Sequence, residues 1–318
     1  MRLCRIQQGE SVQAAFYFDD HVIPFAAASA AFVEHVGRSA DLPQSVDLLA
    51  VLPGGSQREA AQMVADWLPT LDESRRAELS LTVDSVQLLV PIPAPKKIFL
   101  LAGNYAKHIE EGGGVAAERA ETFPYVFMKP PTTTLTNPGE AFRIPQISPN
   151  AIDWELELGV VIGRGGRGIK EADALGHVAG YTVINDISDR RFRPNPERKQ
   201  RDKDGFFDWL HGKWHDGSCP CGPCIADARA VPDPQALAMR LKVDGVLHQD
   251  ASTAQMIFPV AAVIEFISSF VTLEAGDMIS TGTSAGVGNT TDTFLQAGEK
   301  IEATIESIGS LVTPVVAE

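Results

Sequence analysis

The segment Asp153-Trp154-Glu155-Leu156-Glu157-Leu158-Gly159-Val160-Val161-Ile162 sets a carboxylate at every second position as it enters an apolar run. Side chains of a strand alternate between faces, so Asp153, Glu155 and Glu157 share one side, and Trp154, Leu156 and Leu158 share the other. Successive carboxylates on one face stand about 7 Å apart and repel unless water or a cation lies between them. Two readings are open. A strand with its acidic face toward solvent requires no ligand. A cation-binding strand requires a further donor, and the apolar run Tyr181-Thr182-Val183-Ile184-Asn185-Asp186 ends on one. Three carboxylates without a thiolate suit a hard, oxygen-seeking cation, Mg²⁺ or Mn²⁺.

A second set lies upstream. Leu100-Leu101-Ala102-Gly103-Asn104-Tyr105-Ala106-Lys107-His108-Ile109-Glu110-Glu111-Gly112-Gly113-Gly114 predicts a strand, then a short helix capped by Asn104 and stopped by the glycines. His108 and Glu111 are three residues apart and share a face of that helix. A carboxylate beside an imidazole sets its tautomer and raises its basicity, as a water-activating base requires. The same spacing also serves as a plain surface pair.

The stretch Arg190 to Asp208 is basic, with Arg190, Arg191, Arg193, Arg198, Lys199, Arg201 and Lys203. It reads either as a solvated helix capped by Asn195, with Pro196 in its first turn, or as an anion-attracting cover whose Arg fork holds a substrate carboxylate. Phe206-Phe207-Asp208-Trp209-Leu210 just after it reads as packing or as a substrate wall. Cys221-Gly222-Pro223-Cys224 spells a redox dithiol, but its Pro-rich surroundings lack the strand-to-helix context that such a motif needs. Gly163-x-Gly165-x-x-Gly168 follows a strand and precedes a helical pattern over Glu171 to Ala179. On those terms a NAD-dependent oxidoreductase is a distant competitor. The carboxylates of the preceding strand count against it, since a central parallel strand is nearly all apolar.

Taken in order, these pieces resemble the fumarylacetoacetate hydrolase family in its bacterial-type branch, which includes acylpyruvate hydrolases and hydroxymuconate or hydroxyheptadienedioate isomerases. The likeness runs from Gly103-Asn104-Tyr105 with His108 and Glu111, through Glu155-Leu156-Glu157-Leu158 and Asn185-Asp186-Ile187-Ser188 with Arg190, to Gly212-Lys213. It continues with Gln249, Met256-Ile257-Phe258, Thr281-Gly282-Thr283 and Gly286-Val287-Gly288, and covers about residues 96 to 310. The resemblance implies Glu155, Glu157 and Asp186 as ligands of Mg²⁺ or Mn²⁺, with Ca²⁺ as an occupant in crystals. It implies His108 with Glu111 as the proton-handling dyad and Lys213 as the group that holds developing negative charge. Tyr105, Arg190, Arg193, Gln249 and Thr283 would meet the substrate, a small anionic keto acid. The implied reaction is hydrolytic C–C cleavage of a 2,4-diketo acid or acylpyruvate through a metal-stabilised enolate. Isomerisation or decarboxylation of hydroxymuconate-type, hydroxyheptadienedioate-type or β-keto acids is the alternative on the same site. Arg191, Arg193, Ser284 and Asp244 depart from the family pattern, which leaves the metal site intact and puts the identity of the substrate in question. A homodimer is implied as well.

The elements that must hold these residues follow from the rest of the chain. Its 318 residues suit one large domain or two smaller ones. Arg2 to Gln7, Ser11 to Phe18 and His21 to Phe25 read as strands, and Ala26 to Val36 and Gln57 to Leu68 as helices. Residues 1–92 thus form a small α+β N-terminal domain, with Val90-Pro91-Ile92-Pro93-Ala94-Pro95 as a stiff link. Residues 93–318 form the β-rich catalytic domain, so the fold class is α+β, with mixed β-sheets rolled around the site by the family likeness. Against 27 Lys and Arg stand 41 Asp and Glu, a net charge of −14 that argues against nucleic acid or an anionic membrane surface as partner. No apolar run reaches membrane-spanning length and no signal-peptide core opens the chain, so a cytoplasmic location is expected.

Overall fold

Burial along a strand alternates where one face meets water and is continuous where both faces are covered. In the computed structural model, which describes residues 1–40, 42–43 and 46–318, Lys300–Ile305 alternates, whereas Leu156–Ile162 and Val178–Asn185 are buried throughout. The elements that matter for the site are β1 (Arg2–Gln8), β2 (Ser11–Phe18), β3 (His21–Pro24), α1 (Phe25–Val36), α2 (Arg58–Trp67), β4 (Ile98–Ala102) and α3 (Ala106–Glu111). After them come β5 (Leu156–Ile162), β6 (Val178–Asn185), α4 (Asp204–His211), β7 (Cys219–Asp227) and β8 (Met278–Ser280).

Twelve strands build the larger sheet, in the order Leu81–Thr82, β3, β2, β1, β7, β6, β5, β8, β4 and Tyr125–Met128. Gln87–Leu89 adds to β1 and Leu135–Thr136 to β7. A five-stranded sheet runs Val246–Ser252, Ala238–Val243, Lys300–Ile305, Gly309–Ala317 and Phe142–Ile144. The period of two sorts the side chains of β5 and β6 between two cores. Leu158, Val160, Tyr181 and Val183 meet Leu241, Ile301 and Ile305 of the smaller sheet. Val161 and Ile184 point the other way, among Phe16, Phe32, Val64 and Ile225. That second face is covered by α1 and α2, and β1 pairs antiparallel with β7, Leu3 opposite Ile225. The first 92 residues therefore extend the sheet that carries the acidic strand. The mixed, β-rich α+β architecture is the one expected. No helix among the described residues is long and apolar enough to cross a membrane.

Several local expectations are corrected. The glycine-rich turn after Ile162 leaves a strand whose two neighbours are both antiparallel, and only Glu171–Ala174 of the following pattern is α-helical. A dinucleotide fold needs a parallel strand entering a full helix, so the oxidoreductase reading fails on topology. In the basic run only Asp204–His211 is helical, with Lys203 and not Asn195 at its start. Arg198 bonds Asp204 and Asp208, and Arg201 bonds Asp204, which folds the run back against α4 instead of winding it into a helix. Val90, Pro91 and Ile92 lack regular structure, yet they are buried, and the Val90 N–H and C=O are bonded to Asn137 and Arg5. Pro93 and Ala94 are exposed, so the stretch is packed at its start and free at its middle. The three clustered cysteines lie buried within β7, and burial pushes the Cys219 and Cys224 thiols up to about 12. Burial thus favours the neutral thiol over the thiolate on which dithiol exchange depends.

Candidate active site

The start of β5 lies beside the end of β6, and this register gathers the acidic residues. Leu156 stands opposite Asn185, the Asp186 N–H donates to the Glu155 carbonyl (2.8 Å), and the Glu155 N–H donates to Asn185 Oδ1 (2.9 Å). One oxygen from each of Glu155, Glu157 and Asp186 falls within 4.8 Å of the others, and all three residues are buried. The expected acidic strand face is only partly right. Glu155 precedes the strand proper and is placed by backbone bonds to the end of β6 instead of by the pleat. Asp153 stays out of the cluster and accepts from Arg190 and from the Trp154, Gly288 and Asn289 N–H groups.

Two buried lysines and the partly buried Arg190 answer these carboxylates. Lys213 Nζ donates to Glu155 Oε2 and Asp186 Oδ2, both at 2.6 Å. Arg190 spans Asp153 (2.7 Å) and Glu155 Oε1 (2.6 Å). Lys129 Nζ lies 2.5 Å from Asp186 Oδ1 and donates to the Ile187 and Ser218 carbonyls. Sequence reasoning missed Lys129. Nothing in Phe127-Met128-Lys129-Pro130 sets it apart locally, because its partners lie far along the chain. Burial alone would raise the Glu155 carboxyl, but Lys213 and Arg190, helped by the field of His108, hold it well below the usual carboxylate range. Glu157 goes the other way: burial, then the charges of Asp186 and Glu155, push it well up.

The two oxygens of Glu157 differ. Oε2 accepts from the Ser280 hydroxyl (2.6 Å) and the Gly282 N–H (2.8 Å), whereas Oε1 is buried without a partner. Gly282 has φ of 87°, a conformation natural to glycine, and this aims its N–H at the carboxylate. A carboxylate oxygen left unpaired away from water is costly, and a divalent cation among three hard oxygen donors removes that cost. The residues present fit such an ion.

Beside the cluster, β4 leads through Gly103-Asn104-Tyr105 into α3. Asn104 does not cap this helix. Its side chain instead bonds the Phe258 N–H and C=O and the Thr281 C=O, bracing the turn against the loop after β8. His108 Nδ1 and Glu111 Oε1 are 2.9 Å apart, as the spacing predicts, and the Gly286 N–H donates to Glu111 Oε2 (2.9 Å). With Nδ1–H donated to Glu111, Nε2 is the basic nitrogen.

The residues expected to meet substrate divide. Tyr105 is buried beside the dyad, its hydroxyl toward Met239 Sδ. Gln249 and Thr283 are adjacent but engaged with the backbone: Gln249 accepts from the Leu156 N–H and donates to Thr283 Oγ1, and Thr283 donates to the Leu156 C=O. Arg190 is at the cluster as a carboxylate clamp. Arg193 is exposed, donates to the Pro196 carbonyl, and is not brought to the site.

Residues 97–316 match the family described as fumarylacetoacetate (FAA) hydrolase C-terminal. The chain is 38% identical over 239 residues to the mitochondrial oxaloacetate tautomerase of Xenopus laevis, covering 74% of this chain and 70% of that one. It is 37% identical over 254 residues to an oxaloacetate tautomerase of Bacillus subtilis, covering 79% and 80%. Among solved structures, a probable 2-hydroxyhepta-2,4-diene-1,7-dioate isomerase from Mycobacterium abscessus superposes with a TM-score of 0.74 at 30% identity, over 100% of this chain and 99% of that one.

Proposed function

The chain belongs to the fumarylacetoacetate hydrolase family, a family of enzymes, and from that premise we propose that it is a divalent-metal-dependent keto–enol tautomerase of 2-oxo dicarboxylates of the oxaloacetate class. The observation that carries the reading is the unpartnered Glu157 Oε1 in a three-carboxylate cluster, one member of which, Glu155, lies within the field of His108. Glu155, Glu157 and Asp186 would hold Mg²⁺ or Mn²⁺, which when bound supplies Lewis-acid polarisation of the substrate carbonyl. His108 Nε2 takes the C3 proton of the 2-oxo acid, the C–H electron pair becomes the C2=C3 bond as the C2=O π pair moves onto oxygen, and the imidazolium returns the proton to that oxygen; the enol ketonises by the reverse steps. Glu111 holds the imidazole in the tautomer that permits both transfers. Lys213 spends two N–H bonds on Glu155 and Asp186, which leaves one for the oxygen that gathers charge. One base and one oxyanion anchor suffice for this reaction, whereas the hydrolysis expected from the sequence needs a placed water as well.

The test follows the decay of enol-oxaloacetate absorbance. With Mn²⁺ the chain should accelerate it by roughly a hundredfold or more, and EDTA should abolish the effect. No acceleration, or faster cleavage of acylpyruvates than tautomerisation under the same conditions, would sink the proposal.

A further inference from the structure

Between the dyad and the carboxylate cluster runs the loop Gly286-Val287-Gly288-Asn289. At one end the Gly286 N–H holds the Glu111 carboxylate at 2.9 Å, and Trp154 Nε1 donates to the Gly286 carbonyl at 3.1 Å. Two residues on, the Gly288 N–H donates to Asp153 Oδ1 at 2.7 Å, and the Asn289 N–H donates to Oδ2 at 3.0 Å. That second oxygen also accepts from Arg190 Nε at 2.7 Å, and the far end of the same guanidinium lies 2.6 Å from Glu155 Oε1. The loop lies so close that a Cβ at Gly288 would stand 2.9 Å from Asp153 Oδ1 and 1.9 Å from the Thr293 carbonyl. Asp153 is wholly buried, and its four accepted bonds saturate both oxygens. It has no capacity left for a metal ion or a substrate, although it precedes the acidic pair at strand spacing.

We propose that Asp153 is a positioning residue that fastens the Gly286–Asn289 loop and Arg190 to one carboxylate, and so ties the proton-handling dyad to the cation cluster. The inference rests on the cation reading above. Charge and geometry act in the same direction. Asp153 draws Arg190 toward itself, and without it the guanidinium falls wholly to Glu155 and competes with an incoming cation.

Asp153→Asn tests this, since it keeps the shape and one acceptor oxygen but turns an NH₂ toward Arg190 and the Asn289 N–H. Two readouts are taken on the full chain: Mn²⁺ affinity from loss of the free-ion paramagnetic resonance signal, and hydrogen exchange at the Gly286 amide, which Asp153 does not touch. The expected result is Mn²⁺ affinity lower by roughly tenfold or more and Gly286 exchange faster by roughly tenfold or more. Weaker Mn²⁺ binding with unchanged Gly286 exchange is a through-space charge effect and overturns the tie. Unchanged Mn²⁺ affinity, with the wild-type chain binding the ion, overturns it also while leaving the cation reading intact. A wild-type chain that leaves the Mn²⁺ signal untouched overturns the cation reading and this inference with it. If the Asn variant fails to fold by circular dichroism, Asp153→Glu keeps the charge but displaces both oxygens from the loop amides and from Arg190; faster Gly286 exchange and weaker Mn²⁺ binding are expected, and unchanged Gly286 exchange overturns the tie.

Discussion

Two buried lysines and the partly buried Arg190 are divided unevenly among Glu155, Glu157 and Asp186. Glu155 has Arg190 and Lys213, Asp186 has Lys129 and Lys213, and Glu157 has only a hydroxyl and a backbone amide. That inequality gives the site its pH behaviour. Glu157, raised by burial and by its two acidic neighbours, binds more proton folded than unfolded. Its contribution to stability is therefore full below the unfolded carboxylate value and is lost as pH rises through the raised folded value. Glu155 is depressed, so its contribution is present above the unfolded value and is lost as pH falls through the folded one. In EDTA, the melting temperature should fall as pH climbs from the ordinary carboxylate range through the raised value of Glu157. Glu157→Gln should flatten that slope, and Mn²⁺ should cancel it in the wild type. A Gln variant that keeps the full slope would remove Glu157 as its cause. His108 makes a different kind of contribution. His108→Ala should cost roughly 10²- to 10⁴-fold in tautomerisation while leaving Mn²⁺ affinity within about threefold, as proton transfer and ion binding use different atoms. Comparable losses in both measurements would place His108 in the ion's own ligand set.

Strands and loops decide whether those residues meet, and here the strand-to-loop junction after β8 is decisive. Thr281-Gly282-Thr283 turns where β8 leaves β5, and Gly282 aims an amide at Glu157 only because its φ is positive. A Cβ there would stand 2.9 Å from Asn104 Cβ and 3.1 Å from the Leu101 carbonyl. Gly282→Ala should destabilise the chain by about 1–3 kcal/mol and weaken Mn²⁺ binding together, measured by thermal melts with and without the ion. An alanine variant with native stability would mean that the turn relaxes freely. The same junction explains what could be foreseen. His108 and Glu111 were legible because a helix makes residues three apart neighbours, and the apolar runs of β5 and β6 were legible from their length and composition. Lys129 was not, since no local pattern distinguishes a lysine that ends up against Asp186. Asn104 misled for the same reason: a good local cap residue was taken by longer-range bonds to Phe258 and Thr281. Gln249 and Thr283 lie where a substrate contact was expected, but their polar atoms are engaged with the start of β5. Arg193 belonged to a segment whose path is set by its neighbours' ion pairs with α4.

Across the whole molecule, the larger sheet has two buried faces, and the chain supplies their covers from different segments. One face shares its core with the smaller sheet; the other is covered by α1 and α2 from the first 92 residues. On that second face Ile98, Leu100, Val161, Ile184, Ile225 and Met278 are each essentially without solvent exposure. At about 1.5–3 kcal/mol for each buried large apolar side chain, uncovering six of them matches or exceeds the roughly 5–15 kcal/mol of stability typical of a whole protein. Removing residues 1–92 also strips β1 from the Ile225–Ala226 end of β7 and opens that edge, a template for pairing between chains. The acidic strand β5 lies only two strands in from that new edge. A chain of residues 93–318 should therefore show no cooperative thermal transition and should aggregate, even with Mn²⁺ present to brace the cluster. Supplying residues 1–92 as a separate chain during refolding should recover part of the soluble fraction, because the lost contacts are noncovalent. If residues 93–318 alone melt cooperatively and bind Mn²⁺ with native affinity, the N-terminal segment is an appendage and the second core contributes nothing the site requires.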